Sequence, residues 1–431
     1  MGKFSEKFSD VLSMIAEVVD DNKYLSVIKN TFSIYMPFII AGSFATLLRV
    51  LISSNTSGLA KWIPQLEKLT PAFNAVNFAT MSIMTIGIIF IMGVLLGKRN
   101  NVPQYLSGLV ALASYISVVP NSITQVIDDA NSITTAALPA TAINAQGLFV
   151  GMILTILVVE FFSKLCSLKK LKISMPPSVP SQISTSFNVL IPIFITLILF
   201  GSLGCIFKEI SGVYINDWIY QVVQTPLEHV FQSPVGIIGI TIFMQLFWLL
   251  GIHGGLVISP IRNPLMISAL AANIASVEAG KSATQPITTG FWNVFITVGG
   301  AGITLSLIFA LFVFSKRDDH KMMAKLAFAP GLCGISEPLV FGLPLVMNPI
   351  FAIPFVLSSG IATAISIFAV NLGFISPSIV DVPFGIPIIL NAFIGFGWQG
   401  IIIQVLILVV CFALYAPFVL MANKQIESTE D

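Results

Sequence analysis

Between Leu326 and Met421 the chain carries only two charged side chains, Glu337 and Asp381, and no lysine or arginine. A stretch that long with so little charge does not solvate itself as a soluble domain. Over the whole chain, 56% of residues are hydrophobic and 10% charged, where soluble proteins carry about 25% charged. The chain therefore reads as an all-α polytopic membrane protein. Glu337 lies in GISEPLVFGLPLVMNP, Gly334 to Pro349, among the backbone breakers Gly334, Pro338, Gly342, Pro344 and Pro349. An ionisable group at membrane depth is costly and by default marks a substrate or ion pathway. The breakers exclude a plain spanning helix, and broken backbone is tolerated there only when buried in protein or lining a wet cavity.

Apolar segments of the ~20 residues needed to cross a bilayer recur at 31–53, 76–97, 103–120, 144–165, 185–207, 234–252, 256–276, 288–314, 349–371 and 398–421. Basic residues cluster at alternate ends: Lys3, Lys7, Lys23 and Lys29; Lys98 and Arg99; Lys164, Lys169, Lys170 and Lys172; Lys316, Arg317, Lys321 and Lys325; and Lys424. Positive charge marks the cytoplasmic side, so both termini are expected in the cytoplasm. The ends near Lys164 and Phe314 then share a side, and an even number of crossings must separate them. The segment from Leu256, despite Pro260, Arg262 and Pro264, supplies the crossing that parity requires, giving about ten transmembrane helices. Residues 330–348 and 375–395 read as two re-entrant hairpins. Residues 54–75, with Lys61, Trp62, Glu67 and Lys68, read as an interfacial amphipathic helix. The first 30 residues are polar and charged, so no cleavable signal peptide is expected. The expected organisation is a cytoplasmic segment at 1–30, a scaffold and dimerisation half at 31–233, a substrate half at 234–421 and a cytoplasmic tail at 422–431.

Few residues in the second half carry chemistry. Glu337 is either a carboxylate capping a half-helix ahead of Pro338 or a buried acceptor for a ligand hydroxyl, its pKa raised by the lack of a local cation. His253, in FWLLGIHGG, is flanked by Gly251, Gly254 and Gly255, which permit close approach of a ligand. A satisfied core histidine is the alternative. Trp248 offers a stacking face or an interface anchor. Arg262, in SPIRNP, either snorkels, balances a carboxylate or binds phosphate. Asn263 and Asn293 add neutral hydrogen-bonding capacity. Asp381 is expected at an interface, and His229 and His320 in polar loops need no function. Cys166, Cys205, Cys333 and Cys411 read as isolated buried hydrophobes. No GxxxxGK[ST] or HExxH motif is present, so neither nucleotide hydrolysis nor a catalytic metal is expected, and no cofactor or nucleic-acid partner is indicated.

Three motifs, PPSVPSQISTSFNVLIP (Pro176 to Pro192), FWLLGIHGG (Phe247 to Gly255) and the Glu337 run, resemble the membrane enzyme IIC subunits of bacterial sugar phosphotransferase systems, in the lactose, cellobiose and diacetylchitobiose branch. The resemblance implies a homodimer in the bacterial plasma membrane, assembled through its first half and binding sugar near the midplane through its second. It implies that His253 and Glu337 contact the sugar and serve catalysis. It also implies that a soluble enzyme IIB carrying a phosphocysteine phosphorylates the sugar from the cytoplasmic side. Where many disaccharide-specific relatives have a tryptophan followed by threonines, this chain reads VPFGIP, so Phe384 keeps an aromatic ring while Gly385 and Ile386 remove two hydroxyls. The chain ends at Asp431 without a fused IIB domain, so phosphate is expected from a separate protein. The expected function is import of a β-linked disaccharide such as cellobiose, trapped by phosphorylation. The expected sugar contacts are His253, Glu337, Trp248, Asn263, Asn293 and Phe384. The rival readings are an ion-coupled sugar symporter in which Glu337 carries a proton or orders Na⁺, and an uncoupled facilitator.

Overall fold

The computed structural model describes residues 22–427, apart from 55–57, 129–130, 174–175, 177–178, 344 and 347. Most of the expected cytoplasmic N-terminal segment, the end of the tail, part of the Pro176–Pro192 motif and Pro344 lie outside the described residues. Among the described residues, seven helices are long and apolar enough to cross a bilayer, or nine if each of two bent pairs is one span. The ten expected crossings require Gln104–Val118 as well, an apolar helix of 15 residues. At 1.5 Å per residue it reaches ~22 Å, short of the ~30 Å hydrocarbon core.

The chain divides into two compact units. The first comprises Asn22–Ala45 and Leu51–Leu227; the second comprises Thr46–Val50 and Glu228 onward. In the first unit, regular helices pack through small residues. Met84–Arg99 and Gln104–Val118 approach so closely that a Cβ on Gly93 would lie 2.8 Å from the Gly108 Cα. Such small-residue contacts are how helices gain dispersion contact where lipid supplies no hydrophobic drive. At one end of this unit Lys23 Nζ pairs with Glu160 Oε1 at 2.8 Å, and Asn100 Nδ2 donates to the same oxygen at 3.1 Å.

Two features add to the all-α expectation. Ser122–Asp128 and Asn131–Ala136 pair as an antiparallel ribbon; their sequences SITQVID and NSITTA are rich in the β-branched residues that suit strands. The expected amphipathic helix at 54–75 resolves into 3₁₀ turns at Leu59–Lys61 and Pro64–Leu69, with α-helix only from Thr70. Pro64 and Pro71 restrict the backbone to helix starts there.

The second unit is interrupted. After Asp318–Leu332 comes a six-residue helix, Glu337–Gly342, ~9 Å long. After Ala352–Asn371 comes irregular backbone, and helix resumes at Leu390 with a break at Gly397 (φ 66°). Irregular backbone away from water must find partners for its N–H and C=O groups. Side-chain amides supply them. Asn273 Nδ2 donates to the carbonyls of Gln285 and Ser378, while its Oδ1 accepts from the N–H groups of Thr284 and Gln285. Gln232 both donates to and accepts from the Ile287 peptide. Gln404 accepts from the N–H of Ile389 and donates to the carbonyl of Val294. The Gly302 carbonyl, freed by a kink, accepts from Tyr415 at 2.6 Å and Ser358 at 2.7 Å.

Candidate functional site

His253 and Glu337 are delivered by the same local device. Pro234–Leu249 ends in Leu-Leu-Gly-Ile and Asp318–Leu332 ends in Leu-Cys-Gly-Ile. In the first, Gly251 at φ 82° donates to the Trp248 carbonyl and Ile252 donates to the Phe247 carbonyl. In the second, Gly334 at φ 81° donates to the Gly331 carbonyl and Ile335 donates to the Pro330 carbonyl. These are paired left-handed helix caps, in which glycine avoids the ~1–2 kcal/mol a Cβ costs in that conformation. Each turns the chain sharply, so that His253 follows two residues after one glycine and Glu337 three residues after the other, both off the parent helix axis.

His253 then caps the next helix, Gly254–Glu278, its Nδ1 accepting from the Leu256 N–H at 3.2 Å. With Nδ1 an acceptor, the neutral ring carries its proton on Nε2. Nε2 faces Glu337 Oε1 at 3.9 Å, and the two side chains are 43% and 45% exposed. That separation exceeds a direct hydrogen bond and leaves room for a bridging hydroxyl. Close approaches set it. A Cβ on Gly300 would lie 2.5 Å from the Ser336 Cβ, and one on Gly251 would lie 3.3 Å from Val346, on the far side of the Glu337 turn.

Two expectations change here. Glu337, expected to be buried, is half exposed, because the one-and-a-half-turn helix it starts is too short to enclose it. Trp248, expected as a possible sugar-stacking face, is 4% exposed, with its ring 4.3 Å from the His253 ring. It buttresses the histidine. Asn263 is turned to Arg262, its Oδ1 accepting from Nε at 3.1 Å and Nη2 at 2.9 Å, while that guanidinium lies 4.5 Å over Trp292.

Asn293 and Phe384 come together. Asn293 Nδ2 donates to the Val382 carbonyl at 2.8 Å, anchoring the VPFGIP segment. Both line a crevice of about 260 Å³, counting space open to solvent, with Thr297, Cys333, Gly334 and Asn391. The Phe384 ring lies over Gly334 and is 62% exposed, which leaves one face open. Gly334 belongs to the turn that presents Glu337, so the crevice and the His253–Glu337 pair share that turn. Asp381 is 5% exposed, packed within the protein. Cys333 and Cys205 depart from their expected burial, since only Cys166 and Cys411 are buried.

Residues 29–359 match the family model described as Phosphotransferase system, EIIC. The chain belongs to this family. A Bacillus subtilis (strain 168) protein named PTS system oligo-beta-mannoside-specific EIIC component is 31% identical over 97% of this chain and 94% of its own length. A Lactococcus lactis protein named PTS system cellobiose-specific EIIC component is 26% identical over 96% of this chain and 97% of its own. Among solved structures, ChbC, the IIC component of the N,N'-diacetylchitobiose-specific phosphotransferase system, matches with a TM-score of 0.91, 28% identity and 99% coverage of both chains. The chain is thus a multi-pass bacterial plasma-membrane protein, a sugar-specific EIIC permease of the cellobiose, lactose and chitobiose group.

Several EIIC residues around this site are not singled out by the sequence pattern: Gly300 and Ser336, which touch, and Asn273, Gln404 and Asn391, which hold irregular backbone. Their signal is nonetheless present, as isolated amides in otherwise apolar runs and as the GGAG run at 299–302.

Proposed function

We propose that this permease imports a β-linked disaccharide such as cellobiose, and that His253 and Glu337 bind the hydroxyl to be phosphorylated. The 3.9 Å gap between His253 Nε2 and Glu337 Oε1 carries the reading. A hydroxyl oxygen there accepts from Nε2–H and donates to the carboxylate, two polar contacts that suit a neutral ligand and demand no coupling ion. The open face of Phe384 gives the sugar ring a stacking surface, and Asn293 fixes the loop that carries it. At the phosphoryl step the hydroxyl oxygen bonds to phosphorus as the S–P bond of a phosphocysteine on a separate enzyme IIB breaks. The sulfur leaves as thiolate, and Glu337 takes the hydroxyl proton. The first half is assigned to a homodimer interface on the family resemblance alone, and the termini to the cytoplasm on the clustering of lysine and arginine.

The test is uptake of labelled cellobiose by membrane vesicles with and without phosphorylated enzyme IIB. The reading expects accumulation of phosphorylated sugar only with the donor. Uptake that instead follows an imposed proton or Na⁺ gradient without soluble protein would sink it.

A further inference from the structure

We infer that Arg262 is the anion-binding group of this site, taking the oxygens of the phosphoryl group as it passes to the sugar. The inference rests on the function proposed above. Three observations place the guanidinium. Its Cζ lies over the Trp292 ring, 4.5 Å from the centroid, a cation–π contact that holds the group in place. Nε and Nη2 are turned to Asn263 Oδ1, a neutral acceptor that orients the group without cancelling its charge. Among the described residues, no carboxylate lies within 4.0 Å of it. A partly buried cation without an anion is costly to keep in a membrane protein.

The remaining nitrogen, Nη1, points back along the helix toward His253. A Cβ built on Gly255 would lie 3.7 Å from Nη1 and 3.2 Å from the His253 Cε1. A side chain at that position would press on both the guanidinium and the imidazole, so glycine keeps the space between them clear. Side chains on a helix lean toward its N-terminus, which lets Arg262 reach the turn where His253 sits. The first N–H groups of Gly254–Glu278 open toward the same end, where the helix dipole favours negative charge. The site thus divides its work. His253 and Glu337 hold a neutral hydroxyl, and Arg262 meets the charge that arrives beside it.

The test compares Arg262→Gln and Arg262→Lys with the parent in neutral detergent. It measures binding of cellobiose, binding of cellobiose phosphate, and transfer from phosphorylated enzyme IIB. Arg262→Gln is expected to keep cellobiose affinity within threefold, lose at least tenfold in cellobiose phosphate affinity, and lose at least a hundredfold in transfer rate. Arg262→Lys, which keeps the charge, should recover part of both losses; it also serves if the glutamine variant does not fold. Equal losses for both ligands would make Arg262 a structural residue and overturn the inference, as would undiminished cellobiose phosphate binding. A dependence on added phosphatidylglycerol in place of phosphorylated sugar would assign the cation to lipid headgroups and overturn it too. If the parent binds neither sugar, the proposed function falls, and titration with inorganic phosphate decides Arg262 alone: loss of binding in Arg262→Gln supports the anion site, and equal binding in parent and variant rejects it.

Discussion

Glycine does opposite work in the two units. In the first unit it lies inside regular helices and removes bulk, as at Gly93 against Gly108. In the second it ends helices: among the described residues, eleven of the second unit have positive φ, against two of the first. Two of the eleven are Ile303 and Ile389, β-branched residues for which such a conformation costs of order 1–3 kcal/mol. The second unit sustains this because buried amides such as Gln404, which accepts from the Ile389 N–H at 2.6 Å, take over the freed backbone groups. Regular helices give a rigid packing surface. Interrupted ones expose turns, and a turn can aim a histidine and a glutamate at one point.

The contrast breaks most visibly at Gly300. Its φ is 101° and a Cβ would lie 2.5 Å from the Ser336 Cβ, so Gly300→Ala combines strain with overpacking, about 2–5 kcal/mol together. Unfolding in detergent should show that loss, and the displaced Glu337 should lower disaccharide affinity more than tenfold. Retained affinity would mean that Gly300 does not set the site. Gly93→Ala should destabilise by about 1–3 kcal/mol yet leave affinity unchanged in the folded fraction, since its glycine only spaces helices; calorimetric titration of the purified variant checks this.

Gly239 sharpens the comparison. It belongs to the second unit but lies within the regular helix Pro234–Leu249, and a Cβ added there would meet nothing within 4 Å. Gly239→Ala should be neutral or stabilising by up to about 1 kcal/mol. A clear loss would show that membership of the unit, and not local backbone, governs tolerance. The smallest effect concerns Asp319. Its hydrogen bond from Arg317, at 2.6 Å, holds its carboxyl down at about 2. A depressed folded pKa gives stability that is present above the unfolded value of ~3.9 and is lost as pH falls through about 2. The pair is surface-exposed, so parent and Asp319→Asn should differ by less than about 1 kcal/mol at pH 7, and the difference should shrink as pH falls toward about 2. A larger gap, or one independent of pH, would contradict this.

Much of this division is legible in the sequence. Hydropathy locates the helices, and the scarcity of charge after Leu326 singles out Glu337. His253 is legible through its glycines. What stays hidden depends on the geometry of turns and on contacts between distant segments. The burial of Trp248 follows from how its ring meets His253 across a tight turn, and the pairing of Gly300 with Ser336 joins segments with no shared periodicity. The half-exposure of Glu337 depends on where a six-residue helix stops, which proline and glycine spacing bounds but does not set. The ribbon at 122–136 escapes notice because a short polar run between helices reads as a loop.

The central claim is that His253 and Glu337 act on one hydroxyl. Calorimetric binding of cellobiose to the parent, His253→Ala, Glu337→Gln and the double variant measures it directly. A shared hydroxyl predicts a coupling energy of about 1 kcal/mol or more, with the second substitution costing far less than the first. Additive losses within about 0.3–0.5 kcal/mol would show two independent contacts and contradict the account.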